Sequence, residues 1–338
     1  MERILVWGAG AIGGTFGAYL VRAGHDVTFV DKVAEHVAAI RGPQRGLRIT
    51  GPVDEFNVVA PAFTPEELHG RWDHVYLCVK GPDTIAAAQA ILPHLGDDGH
   101  VVSLQNGLCE DRIASVVGRQ RTIGAFINFG ADWMGPGEIR YGNRAAFVVG
   151  ELDGRITGRV QAVHATARDF EPDAVLTEDI HSYLWGKLGY VAYLYAQALG
   201  QKGIADCLDR EELMPLWRRL GAEVNAVADA LRIRPRGFNG YEPAAFGAGA
   251  TDAEARRSVR AMADFNRPSG KTHSGGWRDL AVRRRKTEIE MIYHVVVHGK
   301  AQAVPTPAIE RLVAMIHEIE DGRRAMSDEN LIELMQAA

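Results

Sequence analysis

Cysteine is scarce in this 338-residue chain. The three cysteines, Cys78, Cys109 and Cys207, are odd in number and lack metal-ligand spacing. That excludes a disulfide framework and a thiolate metal centre, and predicts free thiols in a reducing cytoplasm. The twelve histidines do not change this, and no metal site is expected. No apolar run approaches the length of a membrane span, so no membrane partner is expected. Charge of one sign is not in excess either: the formal net charge is −5, which gives no general attraction to nucleic acid or to an anionic bilayer. Met1 runs almost at once into an apolar strand, leaving no room for a signal peptide and making the cytoplasm the expected location. No internal repeat or low-complexity tract stands out. What remains is 46% hydrophobic and 24% charged residues, the profile of a soluble globular protein long enough for two domains.

The most informative stretch follows that first strand. Arg3–Trp7 feeds Gly8-Ala9-Gly10-Ala11-Ile12-Gly13, then a helical stretch over Ile12–Ala23 ending near Gly24, then a second strand, Asp26–Val30, closed by Asp31. A strand–turn–helix–strand unit with an acid roughly 20 residues after the glycines is the dinucleotide fingerprint in its required context. Gly8 permits the tight turn, Gly10 lets the backbone approach a pyrophosphate, and Gly13 lets the helix pack closely on the strand. The anion would sit at the helix N-terminus, where the macrodipole favours it. A carboxylate at Asp31 accepts hydrogen bonds from both ribose hydroxyls and repels a 2′-phosphate, which favours NAD. Lys32 follows it and could partly rescue a phosphate, so NADP stays open.

Beyond this unit, apolar runs alternate with helical stretches. Strands are expected at His74–Val79, His100–Leu104, Arg121–Ile127 and Ala145–Val149, with Ile139–Tyr141 pairing with the last and Ala174–Leu176 at an edge. Helices are expected at Thr84–Leu95, Leu108–Val117 and Ile156–Phe170. Such alternation predicts an α/β domain with a doubly wound, mainly parallel sheet. From residue 178 the pattern is helical almost throughout, with helices expected at Asp179–Leu199, Arg210–Leu231, Asp252–Ala263, Trp277–Val297 and Pro307–Glu320. The chain thus divides into a dinucleotide-binding domain over 1–177 and a helical substrate and dimerisation domain over 178–338. Pro235–Gly249 is too apolar for a free linker and reads as a loop packed on the helical domain or on a partner subunit.

Four residues outside the fingerprint could carry chemistry. Lys80 closes a buried strand and Asn106 opens the following helix, each at a strand end where a cofactor would lie; read blandly, one is a solvated strand end and the other a helix cap. Lys187 lies among Trp185, Leu188, Val191 and Tyr195. It either snorkels to the surface or sits desolvated, with a lowered pKa suited to proton transfer. Glu288 is either a second site acid or an exposed helical acid pairing with Arg284. The run Arg283-Arg284-Arg285-Lys286 reads as a solvated helix face paired to nearby acids.

Taken together, GAGAIGG at the N-terminus, VK at 79–80, QNGL at 105–108, LWGKL at 184–188 and KTEIE at 286–290 before VPTP resemble the ketopantoate reductase family over nearly the whole chain. The resemblance implies a Rossmann-type domain joined to an all-helical one, with substrate in the cleft between them. It also implies hydride transfer from a reduced nicotinamide cofactor to a 2-oxo acid, in a homodimer. Lys187 falls on the family's proton-donating lysine, Glu288 on its acidic cleft residue, and Lys80 and Asn106 on residues near cofactor and substrate. The substrate positions depart from the pattern. Val191 and Tyr195 stand where the family places asparagines, Gly276 where it places a serine, with Ser274 close by, and Tyr293-His294 after Glu288 where it places an Asn-Gly pair. The polar segment Lys271–Arg278 could supply substitute contacts. A hydrogen-bonding site stripped of its amides rejects a small hydroxylated substrate, so the expected small-molecule partner is a 2-oxo or 2-hydroxy acid more apolar or aromatic than ketopantoate. The alternatives are a genuine NADPH-using ketopantoate reductase and a dinucleotide sensor without turnover.

Overall fold

A computed structural model of the chain describes residues 3–268 and 272–337. They form two compact units, Met1–Ile180 and His181–Ala338. In chain order the first unit contains β1 (Arg3–Trp7), α1 (Ala11–Arg22), β2 (Asp26–Val30), α2 (Ala34–Arg41), β3 (Leu47–Thr50), β4 (Phe56–Val58), β5 (Ala62–Phe63), β6 (Trp72–Leu77), α3 (Thr84–Ile91), β7 (Leu95–Ser103), α4 (Glu110–Val117), β8 (Thr122–Ile127), β9 (Gly130–Gly135), β10 (Glu138–Asn143), β11 (Phe147–Glu151), α5 (Gly158–Phe170) and β12 (Val175–Leu176).

An eight-stranded sheet runs in the order β12-β11-β8-β7-β6-β1-β2-β5. Its neighbours are parallel except for the antiparallel pair β8 and β11. The central strands are apolar throughout because helices cover both faces. One face gathers Val6, Phe16, Phe29 and Phe147, the other Leu5, Val75, Leu77 and Ile91. A second, four-stranded sheet, β4-β3-β10-β9, lies outside α1. A Cβ on Gly14 would collide with Ile139 of β10, and one on Gly17 with Phe29 of β2, so glycines on both sides of the helix leave room for the two sheets that sandwich it. This sheet corrects the expected pairing of Ile139–Tyr141 with Ala145–Val149. β10 pairs instead with β3 and, through the tight Gly135-Pro136-Gly137 turn, with β9. β9 carries exposed Trp133 and Met134 and lacks the alternation that marks a strand.

The second unit is helical: α6 (Ile180–Gln197), α7 (Ile204–Leu208), α8 (Met214–Ala230), α9 (Asp252–Asn266), α10 (Gly275–Ala281), α11 (Glu290–Ala301), α12 (Pro307–Glu320) and α13 (Glu329–Ala337). Pro235–Gly249 packs on this unit. The Arg236 amide donates to the Ser182 carbonyl, and buried Tyr241 and Phe246 stack on each other beside Tyr193. Buried Glu223 on α8 accepts from the amides of Ala308 and Ile309 at the start of α12, an acid placed at a helix N-terminus from a neighbouring helix.

The expected helix over Trp277–Val297 is two helices. After α10 the chain reverses at Arg284, whose φ is +49°. The buried Asp279 carboxylate accepts from Arg283 at 3.1 Å and Arg285 at 2.9 Å, and the Asp279 carbonyl takes the Arg285 amide. The basic run therefore folds back on one buried acid rather than lying along a helix. Glu288 precedes α11, and a one-turn helical pairing with Arg284 does not exist.

Candidate functional site

In the first unit, the ends of β2, β1, β6 and β7 lie side by side in that order and carry Asp31, Gly8, Lys80 and Asn106 just beyond them. Gly8 has a φ of +98°, and a Cβ there would stand 2.9 Å from the Val79 amide nitrogen, so the turn requires glycine. Gly13 leaves room for α1 against Cys78 and the Gly8 carbonyl. Gly10 caps α1 without any side-chain bond, and a Cβ there would meet nothing within 4 Å. Open space therefore faces a helix start whose first amides, from Ala11, Ile12 and Gly13, have no intrahelical partner. The residues present fit a dinucleotide pyrophosphate.

The backing of this loop was not legible in the sequence. Ala9 is buried, and its carbonyl accepts from His36 Nε2 at 2.7 Å. His36 Nδ1 accepts from the Gly137 amide at 2.9 Å. Since a backbone N–H can only donate, His36 is neutral with its proton on Nε2. It ties the glycine loop to the second sheet. Its only sequence signal is a histidine beside Val37 and one turn before Ile40 on the buried face of α2. Gln105 does similar work at the next strand ends, donating to the Val79 carbonyl and the Thr84 hydroxyl.

Asp31 is half-buried, and its Oδ1 accepts from the Val33 amide at 2.9 Å. Lys32 pairs with Asp83 at 3.0 Å. Lys80 is half-buried at the start of a 3-10 turn over Gly81–Asp83. Asn106 is half-buried too, but it is not the cap of the next helix: α4 begins at Glu110, after Cys109.

In the second unit, Lys187, Val191 and Tyr195 succeed each other at four-residue spacing on α6 and share one face. All are buried, with Lys187 only 7% exposed, which is rare for lysine. The Tyr195 hydroxyl bonds the Thr287 side chain and the Glu288 backbone and faces the Glu288 and Asp279 carboxyls; burial, then these acids, pushes its pKa well above the usual value. Thr287 is fixed in turn by Glu320, whose Oε1 accepts from its amide and hydroxyl at 2.7 and 2.8 Å. The structure thus brings Tyr195 to the half-buried Glu288. Ser274 is buried as the cap of α10, where its Oγ accepts from the Trp277 amide. Lys271 lies outside the described residues. Trp185, two residues before Lys187, is buried and packs edge-on against His298 of α11. His294 and His298 are one turn apart on α11, a spacing that could suit a metal. Among the described residues, however, no group of three or more His, Cys, Asp or Glu side chains is placed to hold one. Among the same residues no helix is long and apolar enough to cross a membrane.

Known proteins bear on both units. The chain is 27% identical to the 2-dehydropantoate 2-reductase of Archaeoglobus fulgidus, over 95% of this chain and 99% of that protein. It is 28% identical to the Mesorhizobium japonicum enzyme of the same name, over 94% and 97%. Among solved structures, a PanE/ApbA family ketopantoate reductase from Ralstonia eutropha JMP134 superposes with a TM-score of 0.79 at 27% identity, covering 96% of this chain and all of that one. D-mandelate dehydrogenase with NADH and anilino(oxo)acetate superposes at 0.81 over 95% and 99%, but at 21% identity that likeness is one of fold alone. The family model described as Ketopantoate reductase PanE/ApbA matches residues 4–154 and its C-terminal counterpart residues 179–320, so the chain belongs to the ketopantoate reductase family of oxidoreductases.

Proposed function

We propose that the protein is an NAD-dependent dehydrogenase acting at the 2-position of a 2-oxo or 2-hydroxy acid more apolar or aromatic than ketopantoate. The observation that carries the substrate class is Tyr195. It occupies the face of α6 that bears Lys187, and its hydroxyl is committed to Thr287 and the Glu288 backbone. With Val191, it replaces amide donors and acceptors by apolar and aromatic surface. An unpaired polar group buried there costs about 1–3 kcal/mol, which a hydroxylated aliphatic substrate would incur and an aromatic one would not.

The glycine loop and the first turn of α1 would hold the pyrophosphate, and Asp31 would accept from a ribose hydroxyl. The nicotinamide cofactor supplies the hydride when bound. Lys187 Nζ gives its proton to the substrate's 2-oxo oxygen in reduction and accepts one from the 2-hydroxyl in oxidation, so that oxo acid, hydride and proton balance as hydroxy acid. Glu288 orients the substrate beside Tyr195. The names of the curated relatives favour a second reading, in which ketopantoate itself is the substrate. A panel of 2-oxo acids decides: kcat/KM for aromatic or long aliphatic acids exceeding that for ketopantoate is expected, and the reverse order refutes the substrate class.

A further inference from the structure

β1, whose end forms the glycine loop, lies between β2 and β6 in the sheet. Lys32 leaves the end of β2, and Asp83 ends the short turn that follows β6 and Lys80. Neighbouring strands are about 4.8 Å apart, so these two flanks stand roughly 10 Å from each other. The Lys32 ammonium nevertheless meets the Asp83 carboxylate at 3.0 Å. The ion pair therefore crosses the mouth of the crevice in which the glycine loop lies. It crosses on the side of Asp31, the adjacent residue, whose Oδ1 is already held by the Val33 amide. Lys32 is the cation nearest in sequence to Asp31, and its ammonium is held by Asp83.

We propose that Asp83 is a specificity-determining residue for the dinucleotide: by holding Lys32 across the crevice, it withholds the ammonium that a ribose 2′-phosphate would need beside Asp31. The inference rests on the reading of Asp31 as the ribose carboxylate. A 2′-phosphate entering this corner meets the Asp31 carboxylate and a lysine whose charge is already matched by Asp83. A 2′-hydroxyl has no such conflict, because it donates to Asp31 and requires nothing of Lys32. Both partners are open to solvent, at 77% and 51% exposure, so the pair is soft and its effect on cofactor choice is modest.

The test is a fluorescence titration of the full chain with NADPH and with NADH, for the native protein, Asp83→Asn, Lys32→Ala and the double variant. Asp83→Asn is expected to tighten NADPH about fivefold and to leave NADH within about twofold, the scale of one exposed ion pair. The gain should vanish when Lys32→Ala is added, and shrink at high salt. An unchanged NADPH-to-NADH ratio in Asp83→Asn overturns the proposal. So does a gain that survives in the double variant, since Asp83 would then repel the phosphate directly. A native protein that prefers NADPH refutes the reading of Asp31, while the response of the ratio to Asp83→Asn still decides the role of Asp83.

Discussion

The ring of Tyr195 lies so close to Gly276 that a Cβ on Gly276 would stand 2.8 Å from Cε1 and 3.2 Å from Cδ1. Two departures from the family pattern, 81 residues apart in sequence, are thus one packing event: the tyrosine takes the space that a side chain at 276 would need. Gly276→Ser should cost about 1–3 kcal/mol of stability by overpacking. Tyr195→Asn should relieve that cost, so the double variant should be more stable than the sum of the single effects. Urea unfolding of the four proteins measures the coupling, and additivity would show that the two positions do not share this space. The double variant should also raise kcat/KM for ketopantoate relative to an aromatic 2-oxo acid.

Lys187→Ala should lower turnover by roughly a hundredfold or more, the scale of a lost general acid, while circular dichroism and NADH affinity stay native. Stopped-flow hydride transfer at saturating substrate is the decisive readout. Near-native rates would remove Lys187 from the chemistry.

How far the sequence carried this account depended on how local each signal was. The glycine loop, the central strands and α6 are written in contiguous residues with one period, and they appear where the pattern places them. The four-stranded sheet is not legible because β4 has only three residues, β9 lacks alternation and pairs with register shifts, and the pairing depends on turns at Gly137 and between residues 50 and 56. The break before α11 was missed because its cause is a buried carboxylate: Asp279 draws Arg283 and Arg285 off the helical path. The tethers behind the site, from His36 to Ala9 and from Glu320 to Thr287, join residues 27 and 33 positions apart, and no local pattern announces such a contact.

Asp31→Ser should bring NADP affinity up by about tenfold relative to NAD, because it removes a like charge from the 2′ position. Serine still offers an oxygen to the Val33 amide, so the turn after β2 should survive. Competitive displacement of NADH by NADP and NAD gives the ratio, and no shift would mean that the carboxylate does not face the ribose.

Acid stability should depend on the C-terminal helix. Arg324 and then Arg311 hold the Glu333 carboxyl down to about 2, through contacts of 2.7–2.9 Å. Its folded pKa lies below its unfolded value near 4.3, so its contribution is fully present above that value and is lost as pH falls towards 2. The carboxylate is 46% exposed, and screening reduces the effect. Glu333→Gln should therefore flatten the fall in Tm between about pH 5 and pH 3, more clearly at low salt. An unaltered slope would show that the network does not persist in solution.

His36 is the most consequential residue that no motif announces. Its imidazole pairs a buried carbonyl on the glycine loop with a buried amide on the second sheet, at 2.7 and 2.9 Å. His36→Leu fills similar volume but leaves both backbone groups unpaired, at about 1–3 kcal/mol each. Stability should fall accordingly. NADH affinity should fall as well, because the loop that cradles the pyrophosphate loses the contact fixing Ala9 from behind. His36→Gln can still donate to the Ala9 carbonyl and should recover part of the NADH affinity. Calorimetric titration with NADH across the three proteins distinguishes a loop tether from a general core residue. Equal stability losses in Leu and Gln variants with native NADH affinity in both would mean that His36 supports only the fold.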